Sequence, residues 1–196
     1  MTVIKRLCVY CGSSTGNRSE YTQAARELAR AMVSRDTGLV YGGASIGVMG
    51  ALADAVIKEG GEVIGIIPSG LLAKEVAHTG ITELREVGSM HERKAMMAEL
   101  SDGFIALPGG LGTIEEFFEI WTWAQLGMHR KPCGLLNAGR YFDKLIAFIN
   151  HAVSEQFIKE EYRSMIFVER ESDILLQKFA SYKAPEVARW IERKDI

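Results

Sequence analysis

Apolar positions along this chain follow two rhythms that take turns. Short apolar runs with few polar interruptions cover residues 4–10, 38–41, 62–67, 81–87, 104–107, 131–136 and 165–168, and each reads as a strand. Between them the apolar residues recur every three or four positions. Tyr21, Ala24, Ala25, Leu28, Ala29 and Met32 fall on one face of a helix that Ser19 is placed to cap. Similar patterns predict helices ending near residue 59 and over residues 90–100, 113–126, 142–155, 174–182 and 185–193. Residues 69–80 are looser and more polar. Strands that are apolar throughout are buried on both faces. Their alternation with helices therefore predicts an α/β, Rossmann-like three-layer fold, a parallel sheet covered on both sides.

Length and charge narrow this further. The 196 residues suffice for one domain over 1–196 with a full core, the C-terminal helices from about residue 170 forming an extension. A net charge of -2 gives no electrostatic footprint for nucleic acid or a membrane surface, so any positive charge with a function belongs in a pocket. Only Leu7 to Tyr10 separate Lys5 and Arg6 from Cys11-Gly12-Ser13-Ser14, too short a run for a signal peptide or a span, and a cytoplasmic protein is expected. The three cysteines do not frame a disulfide scaffold. Cys8 and Cys11 are formally C-x-x-C, but a strand turns residues three apart to opposite faces, which favours packing over redox or metal work.

The chemistry concentrates in three glycine-rich loops that each follow a strand: residues 12–16, 42–50 and 108–113. In an open α/β sheet such loops meet in one crevice beyond the carboxyl ends of the strands. The last is the richest, Leu107-Pro108-Gly109-Gly110-Leu111-Gly112-Thr113-Ile114-Glu115-Glu116. Strand, glycine loop and helix N-terminus in succession bring backbone N–H groups and the positive end of a helix dipole up to an anion, so this loop is a phosphate cradle. Gly12, Ser13 and Gly43 belong to the other two loops. Their glycines fit neither G-x-G-x-x-G nor a Walker A motif, which argues against NAD and ATP.

Spacing alone leaves two readings of Glu116 open. Thr113-Ile114-Glu115-Glu116 is a capping box, with the acid reaching back to the Thr113 N–H. Equally, the loop holds more glycine than a cap needs, and Trp123 lies on the acidic side of the helix, as at a covered cleft or a subunit contact. Ser89-Met90-His91-Glu92-Arg93-Lys94 opens the preceding helix, where two cations oppose the dipole. Phosphate binding explains them, Arg93 by its fork and Lys94 as a point charge, as does a solvated face. Glu75 lies in a loop able to fold over the crevice. His91 has no second ligand at metal spacing, and no metal or other cofactor is expected.

With these residues assembled, PGGLGTIEE, preceded by SMHERK and YGGASIGVMG, resembles the LOG (lonely guy) family of cytokinin riboside 5'-monophosphate phosphoribohydrolases. The similarity runs from about Lys5 to about Phe179. It implies a Rossmann-like homodimer or larger homo-oligomer that hydrolyses the N-glycosidic bond of N6-modified AMP, and often AMP, to free base and ribose 5-phosphate. Arg93 and Glu116 match the family's catalytic pair, Lys94 and Gly110 to Thr113 its phosphate and ribose contacts, and Glu75 a substrate-binding acid. Gly109, Ile114, Glu115 and Met90 flank these positions and join the expected binding set. Some relatives carry the label lysine decarboxylase, which these residues do not support. A nucleotide-binding or carrier protein on the same fold is the other reading. Glu116 discriminates, because an acid beside a phosphate costs a pure binder Coulomb repulsion.

Overall fold

The structure is a computed structural model that describes residues 3–72 and 77–187. In chain order it runs β1 (Arg6–Tyr10), α1 (Ser19–Val33), β2 (Gly38–Tyr41), α2 (Gly47–Lys58), β3 (Val63–Pro68), the single turn α3 (Ser69–Leu72) and β4 (Glu83–Val87). It continues with α4 (Met90–Glu99), β5 (Gly103–Ala106), α5 (Leu111–Gln125), β6 (Cys133–Leu136), α6 (Asp143–Ser154), the short α7 (Glu160–Arg163), β7 (Ile166–Glu169) and α8 (Ser172–Ala180). A 3-10 turn over Ala138–Arg140 follows β6.

The strands form one seven-stranded sheet in the order β4-β3-β2-β1-β5-β6-β7. Every pairing is parallel, with Cys8 beside Val40 on one side and Phe104 on the other. The apolar strands are explained by the two clusters they feed. Leu7, Val9, Leu39 and Tyr41 point to the layer of α1, α2 and α8, while Cys8, Tyr10, Val40 and Phe104 point to that of α4, α5 and α6. This is the covered parallel sheet that the rhythm of the sequence predicts. Helix α8 sends Leu175, Leu176 and Phe179 into the first cluster, so it is integral to the core.

Local differences have local causes. Ser19 does not cap α1: Arg18 occupies that position in extended conformation, without a side-chain cap bond, and Ser19 lies inside the first turn. Ser89 does cap α4, accepting from the Glu92 N–H at 3.1 Å, while Glu92 accepts from the Gly88 N–H at 2.8 Å. Helix α5 begins at Leu111, with Gly110 as its cap, two residues earlier than the spacing predicts. Thr113 is therefore not the cap and Glu116 is not its capping partner. Of the helix expected over residues 185–193, the first three residues are non-helical and the rest lie outside the described residues, as does Glu75.

Candidate active site

Strand order reverses between β1 and β5, so a crevice opens where their loops part. The three glycine loops meet there. The Gly12 N–H donates to the Pro108 carbonyl at 3.2 Å, and the Gly12 carbonyl accepts from Val48 at 2.9 Å and Met49 at 3.2 Å. Gly109 is the tightest point of this junction: a β-carbon there would lie 2.1 Å from Thr113 Oγ1 and 2.7 Å from the Gly12 nitrogen. Only glycine lets the turn close onto the start of α5.

The resulting cleft, of about 260 Å³, is lined by Gly12, Ser13, Ser14, Thr15 and Gly16 on one side and Pro108, Gly109 and Gly110 on the other, with Val48, Tyr21 and Tyr141 completing it. It is rich in hydroxyls and backbone. Leu111, Gly112, Thr113 and Ile114 form the first turn of α5 beside it. Leu111 is 91% exposed, Gly112 faces open space, Thr113 is buried beneath Gly109, and Ile114 packs against the α4–α6 layer. The free N–H groups of such a first turn, with the dipole behind them, suit a phosphate.

Arg93 approaches from the opposite layer. It is only 5% exposed, its Nη2 donates to the Gly42 carbonyl at 3.0 Å, and its Nη1 lies 3.8 Å from Met90 Sδ. Its Nε is buried without a hydrogen-bond partner. Leaving such a donor unpaired costs about 1–3 kcal/mol. Gly42 makes room for the guanidinium, since a β-carbon there would stand 2.2 Å from Nη2.

Glu116 is half-buried in the second turn of α5. Burial is the main reason that the Cys8 thiol is pushed well up, but the Glu116 charge adds to the rise and Arg93 opposes it. Burial likewise raises Tyr10 and Cys11, again with a contribution from Glu116. Acid and guanidinium thus both act on Cys8, in the middle of β1. Neither is among the side chains lining the cleft.

Lys94 bridges α4 to α5, 2.7 Å from Glu115 and 2.9 Å from Glu119. Burial works against its charge, but hydrogen bonds to the two glutamates prevail and the ammonium is held above its ordinary value. Met90, 42% exposed, shelters the guanidinium. Gly43 has φ +81° and packs against Ile67 and Leu84, its carbonyl accepting from the His78 N–H at 2.9 Å, away from the cleft. Tyr21, Ser14, Thr15 and Tyr141 are additional lining residues. Tyr141 carried a usable signal, because Asn137-Ala138-Gly139-Arg140-Tyr141 is a fourth loop at a strand's carboxyl end.

Comparison with known proteins agrees with this architecture. The family model described as "Possible lysine decarboxylase" matches residues 49–179. The cytokinin riboside 5'-monophosphate phosphoribohydrolase LOG1 of Arabidopsis thaliana is 49% identical over 178 residues, 91% of this chain and 84% of its own. The enzyme of the same name, LOG, from Oryza sativa subsp. japonica is 49% identical over 91% of this chain and 74% of its own. Among solved structures, the molybdenum cofactor binding protein from Rippkaea orientalis superposes with a TM-score of 0.68 at 20% identity, covering 90% of this chain and 95% of its own. The molybdenum cofactor carrier protein of Chlamydomonas reinhardtii gives 0.67 at 17% identity, over 90% and 98%. At that identity these two share the fold alone. A sheet that reverses at β1 and β5, a glycine loop opening α5 and near-50% identity over nine-tenths of the sequence make the chain a member of the LOG family of cytokinin riboside 5'-monophosphate phosphoribohydrolases.

Proposed function

We propose that this protein hydrolyses the N-glycosidic bond of N6-modified AMP, and of AMP itself, releasing the free base and ribose 5-phosphate. The observation that carries the reading is Arg93, a buried guanidinium with an unsatisfied Nε, held to the carbonyl of Gly42 in one of the three glycine loops that meet beyond the strands. Breaking the bond from C1' to the base develops positive charge on C1' and the ring oxygen. A carboxylate next to the sugar stabilises that charge or takes a proton from the attacking water. Water adds to C1', the bonding pair leaves with the base, and the base gains the proton. Holding the 5'-phosphate at the start of α5 fixes the ribose against Glu116 and turns an encounter into a positioned reaction.

The near-50% identical relatives named as phosphoribohydrolases support the same chemistry. Lysine decarboxylation through a Schiff base fits the residues poorly, because it needs a lysine that gives up its proton, and the two glutamates keep Lys94 protonated. A carrier role gains nothing from this site's acid. Association as a homodimer is part of the proposal, supported by Leu111 and Met90, apolar side chains left 91% and 42% exposed at the edge of the site.

Incubation with AMP and with N6-isopentenyl-AMP, followed by chromatography of the free base, tests the reading. Release from at least one is expected. Glu116→Gln should lower the rate by about 100-fold or more, with an unchanged melting temperature. Equal rates in variant and wild type would move the role to Glu115 or remove it.

A further inference from the structure

We propose that Tyr141 is a positioning residue for the phosphate cradle: its hydroxyl donates to the Gly109 carbonyl at 2.6 Å and thereby aims the amide of Gly110 into the cleft. This rests on the phosphoribohydrolase reading only for the identity of the substrate. The described peptide bonds are trans, so the Gly109 C=O and the Gly110 N–H belong to one plane and point in opposite directions. Drawing the carbonyl toward Tyr141 turns the N–H away from it. The same bond occupies a carbonyl oxygen whose partial negative charge would otherwise oppose a phosphate.

The surroundings present Tyr141 for this task. Its ring lines the cleft and is 42% exposed, yet its hydroxyl engages the loop. The rings of Tyr21 and Phe142 hold it edge-on from two sides, with centroids at 5.6 Å and 5.0 Å. The chain reaches it through two successive left-handed residues, Gly139 at φ +56° and Arg140 at φ +63°. Such a backbone is unfavourable for arginine, and it is fastened at both ends: Arg18 Nη1 donates to the Gly139 carbonyl at 2.9 Å, and Arg140 Nε to Asp143 at 2.6 Å.

Tyr141→Phe removes the hydroxyl and keeps the ring. Steady-state kinetics on N6-isopentenyl-AMP should show KM raised about five- to tenfold with kcat within about twofold, the loss of one hydrogen bond acting on ligand binding. Calorimetric titration with ribose 5-phosphate should weaken by the same factor. Inhibition by adenosine, which has no phosphate, should keep its constant. An unchanged affinity for ribose 5-phosphate, or an equal loss for adenosine, overturns the proposal, as does a fall in melting temperature and kcat with KM unaltered. The titration needs no turnover, so a wild-type protein that bound ribose 5-phosphate but released no base would refute the assigned reaction and leave the role of Tyr141 to be decided by the variant. A wild type that does not bind ribose 5-phosphate overturns the cradle and the role together.

Discussion

Arg93 shows how much of this site depends on one side chain being given room. A guanidinium 5% exposed, held by one strong bond to the Gly42 carbonyl, is stable there only while residue 42 has no side chain. Gly42→Ala would drive a methyl to within 2.2 Å of Nη2 and displace the group. Turnover of the nucleotide should then fall by about 100-fold, since misplacing a catalytic group by an ångström costs that much. Urea unfolding should show a loss of about 1–3 kcal/mol from the broken buried bond. A variant with wild-type turnover would mean that the reaction proceeds without Arg93. The reasons for an arginine at this position were visible in the sequence as two cations opposing a helix dipole. That they part company, Arg93 to the sheet edge and Lys94 to α5, was not, because adjacent residues of a helix point about 100° apart and only packing decides which neighbour each meets.

At the level of elements, α4 and α5 behave as a clamped pair. Lys94 on α4 lies between Glu115 and Glu119, four apart on α5, which would repel each other without it. Its protonated form is favoured in the folded state, so its pKa there lies above the ordinary value near 10.5. The stabilisation is therefore fully present below that value and is lost as pH rises through the higher folded value. Comparison of chemical unfolding for wild type and Lys94→Met should show a constant gap from pH 7 to about 9.5 that narrows above about 10.5. A gap that does not change across that range would show that the lysine charge is not coupled to folding. The start of α5 is the element boundary that the sequence mislocated. The capping-box pattern at Thr113 is genuine as a pattern, but Gly110 can adopt the extended cap conformation and the loop packs Thr113 inward, which starts the helix at Leu111. That shift puts Glu116 in the second turn rather than at the capping-box position.

On the scale of the whole molecule, the reversal of strand order gathers loops from positions 12, 42, 108 and 137 of the chain at one edge of the sheet. The α4–α6 layer is less completely covered than the α1–α2–α8 layer: Ile114, Phe118, Trp123, Leu145 and Ile146 pack against it while remaining partly accessible. With Leu111 and Met90 exposed as well, this layer is the face that the proposed dimer would use. Sedimentation equilibrium at micromolar concentration should give twice the chain mass, and Leu111→Asp should shift the equilibrium toward one chain. A wild-type protein that sediments as a single chain at that concentration would remove the dimer from the proposal.

By itself the sequence determined the class of fold, the run of strands and helices, and the glycine loop that opens α5, because these depend on periodicity, on chain entropy and on the conformations open to glycine, all of which are local. The similarity of its motifs to one family carried the reaction. Tertiary structure alone decided that Arg93 turns to the Gly42 carbonyl while Lys94 turns to α5, that Glu116 lies beyond the capping position, and that Tyr141, 32 residues from Gly109, donates to its carbonyl. Those outcomes turn on side-chain directions and close approaches between distant segments, and no local pattern encodes a distance that only the packed sheet creates.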